Sequence, residues 1–121
     1  MNIYLMGSDG WKLFRDVSAD ELIKRNITIG EGANIGEGAS IGKGARIKTN
    51  FDFILISPLG SRNSVLTAYR HKGDIQIGTG CYLGSINEFE AQVKQVHKEN
   101  EHARQYLTAL EYIRKRLEVK R

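Results

Sequence analysis

Ile29-Gly30-Glu31-Gly32-Ala33-Asn34, Ile35-Gly36-Glu37-Gly38-Ala39-Ser40 and Ile41-Gly42-Lys43-Gly44-Ala45-Arg46 are copies of one six-residue unit, followed by a degenerate copy, Ile47-Lys48-Thr49-Asn50-Phe51. Simple strand alternation has a period of two and a helix about 3.6, so neither accounts for isoleucines at 29, 35, 41 and 47. A six-residue period headed by a β-branched residue describes one face of a triangular coil, with each Ile pointing inward and the small Ala at a second inward place. The glycines let the backbone turn the corners, where a side chain would clash. A flexible Gly-rich linker would explain the glycines but not the register of the isoleucines.

On these units the segment resembles the hexapeptide-repeat proteins, whose acyltransferase members form trimers of left-handed parallel β-helices. The resemblance covers residues 27–52, about a fifth of the chain, and implies fold far more than activity. Three hexads make one turn of such a coil, so this segment supplies little more than one turn. A solenoid needs several stacked repeats to bury a continuous core, so partners are expected to cover it. The resemblance therefore implies a homo-oligomer, a trimer or a multiple of one. Ile77-Gly78-Thr79-Gly80-Cys81-Tyr82-Leu83-Gly84 follows the hexad logic again, with Cys81 at the small place. It reads either as more coil or, preferably, as an ordinary strand and turn.

Outside the repeats, Ile3 and Leu5 alternate before the turn-prone Gly7-Ser8-Asp9-Gly10, suggesting a short strand or an extended arm. Ser18-Ala19-Asp20-Glu21 matches a capping box, with Val17 placed to staple against Leu22, and predicts a helix at about 18–25. Runs at 53–57, 64–70 and 75–78, separated by Pro58-Leu59-Gly60 and His71-Lys72-Gly73-Asp74, read as an antiparallel meander. A second capping box, Ser85-Ile86-Asn87-Glu88, opens a helix whose Phe89, Val93 and Val96 share one face and which ends near Asn100. A last helix at 101–118 carries a seam of Ala103, Tyr106, Leu110, Ile113 and Leu117. The expected fold is mixed α/β: a short left-handed parallel β-helix, then a small meander and two C-terminal α-helices. It forms one domain over 1–121, divided into arm and short helix (1–26), coil (27–52), meander (53–84) and helical pair (85–121).

With 121 residues, 40% hydrophobic and 26% charged, the chain has ordinary globular usage. A single cysteine excludes an internal disulfide, and His71, His97 and His102 lack zinc-site spacing, so no metal and no cofactor are expected. No apolar run approaches the roughly 20 residues that cross a bilayer, and Met1 to Met6 lacks the features of a signal peptide. A cytoplasmic protein with no membrane partner is the expectation. The net charge of +4 lies largely in Arg114, Lys115, Arg116, Lys120 and Arg121, a basic helical end that reads as solvated, so no nucleic-acid partner is expected.

For chemistry, the resemblance implies a histidine base and a long stack of coils to hold acetyl-coenzyme A. No histidine lies between 27 and 50, and His71 reads as a polar turn residue. The loop Ser61-Arg62-Asn63-Ser64 instead gathers amides, hydroxyls and a guanidinium in a tight turn, groups that suit a phosphate or carboxylate. Arg62 could bind bidentately, with Ser61, Asn63 and Ser64 completing the shell. Along the next strand Tyr69 could stack on a base while Thr67, on the same face, donates a hydrogen bond, and Arg70 adds charge. An ordinary loop whose Ser61 and Asn63 cap their own backbone fits equally well.

From Ile54 onward the chain is also similar to small uncharacterised proteins of bacteria and their phages. In type, though not in motif, it resembles phage-encoded sponge proteins that sequester nucleotide signals of bacterial immunity. The leading expectation is a non-enzymatic homo-oligomer binding an anionic small molecule, a cyclic or ADP-ribose-type nucleotide. A minimal acyltransferase and a trimerising interaction module are the alternatives.

Overall fold

The computed structural model describes residues 2–36, 38–60, 64–80 and 82–117, with Ser64 described by its backbone alone. The N-terminal alternation forms a hairpin, β1 (Ile3–Gly7) and β2 (Gly10–Phe14), with Gly7 opposite Gly10. Helix α1 (Ala19–Lys24) is capped by Ser18, whose hydroxyl accepts from the Glu21 amide at 3.1 Å. The Glu21 carboxylate does not return to the cap; it takes Arg25 Nε at 2.7 Å. The hexads follow with three two-residue strands, β3 (Thr28–Ile29), β4 (Ser40–Ile41) and β5 (Arg46–Ile47).

The expected left-handed parallel β-helix is not the fold. The sheets are largely antiparallel or mixed: β2-β1-β4 combines an antiparallel hairpin with a short parallel contact, the four-stranded sheet is wholly antiparallel, and only the two-residue strands β3 and β5 form a parallel pair. The residues selected by the six-residue spacing do turn inward, with Ala39, Ile41, Ala45 and Ile47 fully buried. The hexads close a single circuit, with Thr28 and Ile29 in parallel register with Arg46 and Ile47, and no further circuit stacks beyond it. The spacing fails at Lys48-Thr49-Asn50, where the Asp52 carboxylate accepts the amides of Lys48 and Thr49 at 2.9 and 3.0 Å and the chain turns away into a different sheet.

That sheet is the meander β6 (Phe53–Leu59), β7 (Ser64–His71), β8 (Asp74–Thr79) and β9 (Tyr82–Ser85), in the order β6-β7-β8-β9. Lys72 and Gly73, both at positive φ, make the tight turn between β7 and β8. Ser85 then caps α2 (Ile86–His97) with a complete capping box, and α3 (Glu101–Leu117) packs back against α2. Ile86, Phe89 and Val93 of α2 are buried, whereas Val96, expected on the same face, is 62% exposed because α2 ends at His97.

The meander is the middle layer. Leu66, Ala68, Ile75 and Ile77 point to a core shared with α2 and α3. Tyr69, with Phe53 and Leu55, points to a second core built by the hairpin and the hexads. β7 therefore has no solvent face: Leu66 and Ala68 serve one core while Thr67 and Tyr69, in alternation, are buried against the other.

Candidate functional site

On the hexad side of β7, two hydroxyls end the row of hexad amides. The Ser40 amide donates to Thr67 Oγ1 at 3.0 Å and the Gly42 amide to the Tyr69 phenol oxygen at 2.6 Å, while that phenol donates to Gln76 Oε1 at 2.5 Å. β4 pairs with β1 along its other side, so these side chains stand where a further coil would have placed its backbone acceptors. Burial pushes the Tyr69 phenol well above its ordinary pKa, outweighing the opposing effect of the Gly42 amide, and it stays protonated and able to donate. Glycine is required at 42 because a Cβ would come within 2.8 Å of Leu83 and 2.9 Å of the phenol.

Thr67 and Tyr69, expected to touch a ligand, are thus buried with their polar atoms used inside the fold. Arg70 is likewise engaged: Nε donates to Asp52 Oδ1 at 2.8 Å and a terminal nitrogen to the Leu117 carbonyl, tying the start of β6 to the end of α3. Burial acts to raise the Asp52 carboxyl, but the amides of Thr49 and Lys48 together with Arg70 outweigh it, and its pKa lies below the ordinary value. Ser61, Arg62 and Asn63 lie outside the described residues, as does Cys81, and nothing is described of the Ser64 side chain. His71 Nε2 lies 3.1 Å from the Lys43 carbonyl oxygen and packs where Gly44, at φ +85°, leaves room.

A concave surface does lie beside the expected loop. Where β6 ends, Pro58 and Leu59 form one wall of an open groove of about 790 Å³, and Arg104, Thr108, Ala109 and Tyr112 of α3 form the other. Gly60, at φ +77°, leaves this wall by passing over the Tyr106 phenol, where a Cβ would overlap the ring oxygen. The chain enters the 61–63 connection from the rim of the groove and returns at Ser64, opposite Leu59. Tyr112 is 52% exposed, and Arg104, also in the lining, donates one nitrogen to the Glu99 carbonyl at 3.1 Å. Glu101 adds one carboxylate to the lining.

These α3 residues were not among the sequence candidates, although the signal was there. Arg104, Thr108 and Tyr112 recur every four residues, a stripe separate from the buried seam of Ala103, Leu110, Ile113 and Leu117.

Among the described residues, no group of three or more His, Cys, Asp or Glu could hold a metal ion. No helix among them is long and apolar enough to cross a membrane. No protein-family model, no curated protein and no solved structure matches this chain.

Proposed function

We propose that this chain is a non-enzymatic binding protein that takes an anionic small molecule of nucleotide type in the groove between β6 and α3. The observation that carries the reading is the composition of that groove: apolar surface at Pro58, Leu59 and Ala109 on its two walls, an exposed aromatic ring at Tyr112, and a guanidinium at Arg104. Ligand sites combine a mostly apolar surface with a few placed polar groups in this way. A base stacks on Tyr112, a phosphate pairs with Arg104, and Glu101 and Thr108 suit ribose hydroxyls.

The connection bearing Ser61, Arg62, Asn63 and Ser64 leaves from the rim and supplies the remaining anion contacts. Thr67 and Tyr69 drop out of the contact set, since they are buried with their polar atoms engaged within the fold, and Arg70 is held away from it by Asp52 and the Leu117 carbonyl. A role of this kind is that of the phage sponge proteins the chain resembles in type, which hold a signal and do not transform it. The trimer that the resemblance implies depends on a coil that the fold does not build.

The test is calorimetric titration with cyclic dinucleotides, cyclic trinucleotides, ADP-ribose isomers and acetyl-coenzyme A, followed by mass spectrometry of the recovered compound. Binding of one nucleotide class, recovered intact after long incubation, supports the reading. No heat with any nucleotide overturns it, and turnover of acetyl-coenzyme A replaces it with an acyltransferase.

A further inference from the structure

Resting on the reading of the groove as a nucleotide site, we propose that it continues to the end of α3, where Arg116 and Phe51 complete it, and that it takes a single-stranded polynucleotide. β6 and α3 run antiparallel. Gly60, just past β6, crosses the Tyr106 phenol, while the carbonyl of Asn50, just ahead of β6, accepts Arg116 Nη2 at 3.1 Å. Arg116 therefore lies on the side of α3 that meets this strand. Four-residue steps carry the stripe from Arg104 through Thr108 and Tyr112 to Arg116.

Phe51 supplies a second ring at that end. It is 72% exposed, and the Arg116 guanidinium lies 5.8 Å from its centroid. A tight turn presents it: the Phe51 amide donates to Thr49 Oγ1 at 3.2 Å and the Asp52 amide to the Thr49 carbonyl at 3.1 Å, while the Asp52 carboxylate accepts the Lys48 and Thr49 amides. The ring belongs to neither core. The basic end of α3, which the sequence reads as solvated, is thus laid in part against an exposed aromatic.

The ligand class follows from spacing and alternation. Three four-residue steps separate Arg104 from Arg116, about 18 Å along the helix axis. Phosphates of one strand lie about 3.4 Å apart along a duplex and further apart when the strand is extended, so this distance spans about three to five nucleotides. A single nucleotide engages one arginine and one ring and leaves the other pair idle. A single strand alternates phosphates with planar bases, as the track alternates Arg104 and Arg116 with Tyr112 and Phe51. A duplex keeps its base faces stacked inside, and an acidic peptide has charge without a run of planar groups. A lipid surface asks for apolar side chains gathered on one face, not rings set between arginines. Charge agrees at the Phe51 end, where Asp52 is paired with Arg70 at 2.8 Å and Glu111 with Lys115 at 3.7 Å.

The experiment is fluorescence anisotropy of the full chain with a labelled thymidylate dinucleotide, tetramer and octamer at several salt concentrations. A duplex octamer and vesicles of phosphatidylcholine with phosphatidylserine run beside them, and wild type is compared with Phe51→Ala and Arg116→Gln. Affinity is expected to rise about tenfold or more from dinucleotide to octamer, and Phe51→Ala to weaken the octamer about tenfold while leaving the calorimetry of single nucleotides unchanged. Arg116→Gln should lower the salt slope by about 0.7, the share of one phosphate on a single strand. If Arg116→Gln does not fold, Phe51→Ala decides, since its ring lies outside both cores. Single nucleotides that bind with no gain from length overturn the track and leave the groove reading standing; no binding by any nucleotide, single or linked, overturns both. An octamer bound equally by Phe51→Ala, a duplex bound as tightly as the single strand, or vesicles bound in place of the octamer each overturn the proposal.

Discussion

The Gly42 amide donates to the phenol oxygen of Tyr69 at 2.6 Å, joining the hexad segment to the middle sheet through a group buried on both sides. Removing the hydroxyl leaves the buried Gly42 amide, and the partly buried Gln76 Oε1, without their partner. Tyr69→Phe is therefore expected to lower unfolding free energy by about 1–3 kcal/mol, the cost of a stranded buried group. Urea denaturation measures it, and a change below about 0.5 kcal/mol would mean that the hydroxyl does not hold the layers together.

Gly30 and Gly36 occupy the same place in successive hexads, yet their surroundings differ. A Cβ at Gly30 would overlap the Lys48 carbonyl, while one at Gly36 meets only the Leu55 side chain at 3.4 Å. Gly36→Ala should be neutral or stabilising by up to about 1 kcal/mol, since alanine restricts the unfolded chain. Gly30→Ala should destabilise strongly and lower the thermal midpoint. Equal effects at the two positions, in thermal melts of both variants, would mean that the repeat itself rather than its neighbours selects glycine.

This contrast bears on how much was legible in the sequence. The six-residue spacing correctly marks Ala39, Ile41, Ala45 and Ile47 as inward, because inwardness is a local property of the repeat. It cannot tell whether another coil or another kind of sheet will cover the circuit, because that depends on strands far along the chain. Thr67 and Tyr69 read as ligand contacts for a related reason. Alternation of polar with apolar residues ordinarily means one wet face, but in a strand between two layers the polar residues can be bonding partners for the second layer. Trp11 and Gly78 illustrate the same limit: the glycine leaves space in β8 for an indole from the distant hairpin, a fit that no local window contains.

Acid should weaken the junction between the hexads and β6. The Asp52 carboxyl sits below its ordinary value of 3.8 in the folded state, so it binds its proton more readily when unfolded. Its contribution is fully present above that ordinary value and is lost as pH falls through the lower folded value. Asp52→Asn should cost stability at pH 7 through the bonds to Arg70, Lys48 and Thr49, and the difference from wild type should shrink below about pH 4. Denaturation curves across this range give the answer; a difference that stays constant with pH would remove Asp52 from the acid response.

Tyr112 is the residue on which nucleotide binding in the groove depends most directly. Its ring stands over the groove from the exposed stripe of α3, outside both cores, so truncation should leave the fold intact and change only what the groove can hold. Stacking of a base on an aromatic ring contributes about 1–3 kcal/mol, so Tyr112→Ala should weaken nucleotide affinity by about tenfold to a hundredfold with little change in thermal midpoint. Tyr112→Phe should retain most of it, because the ring and not the hydroxyl is used. Arg62→Lys is expected to weaken binding as well, since a lysine cannot reproduce bidentate pairing with a phosphate. Titration of the three variants against the wild-type ligand separates the contributions. Loss of affinity in Arg62→Lys with none in Tyr112→Ala would place the ligand on the loop and off the groove, whereas unchanged affinity in all three would put it elsewhere on the molecule.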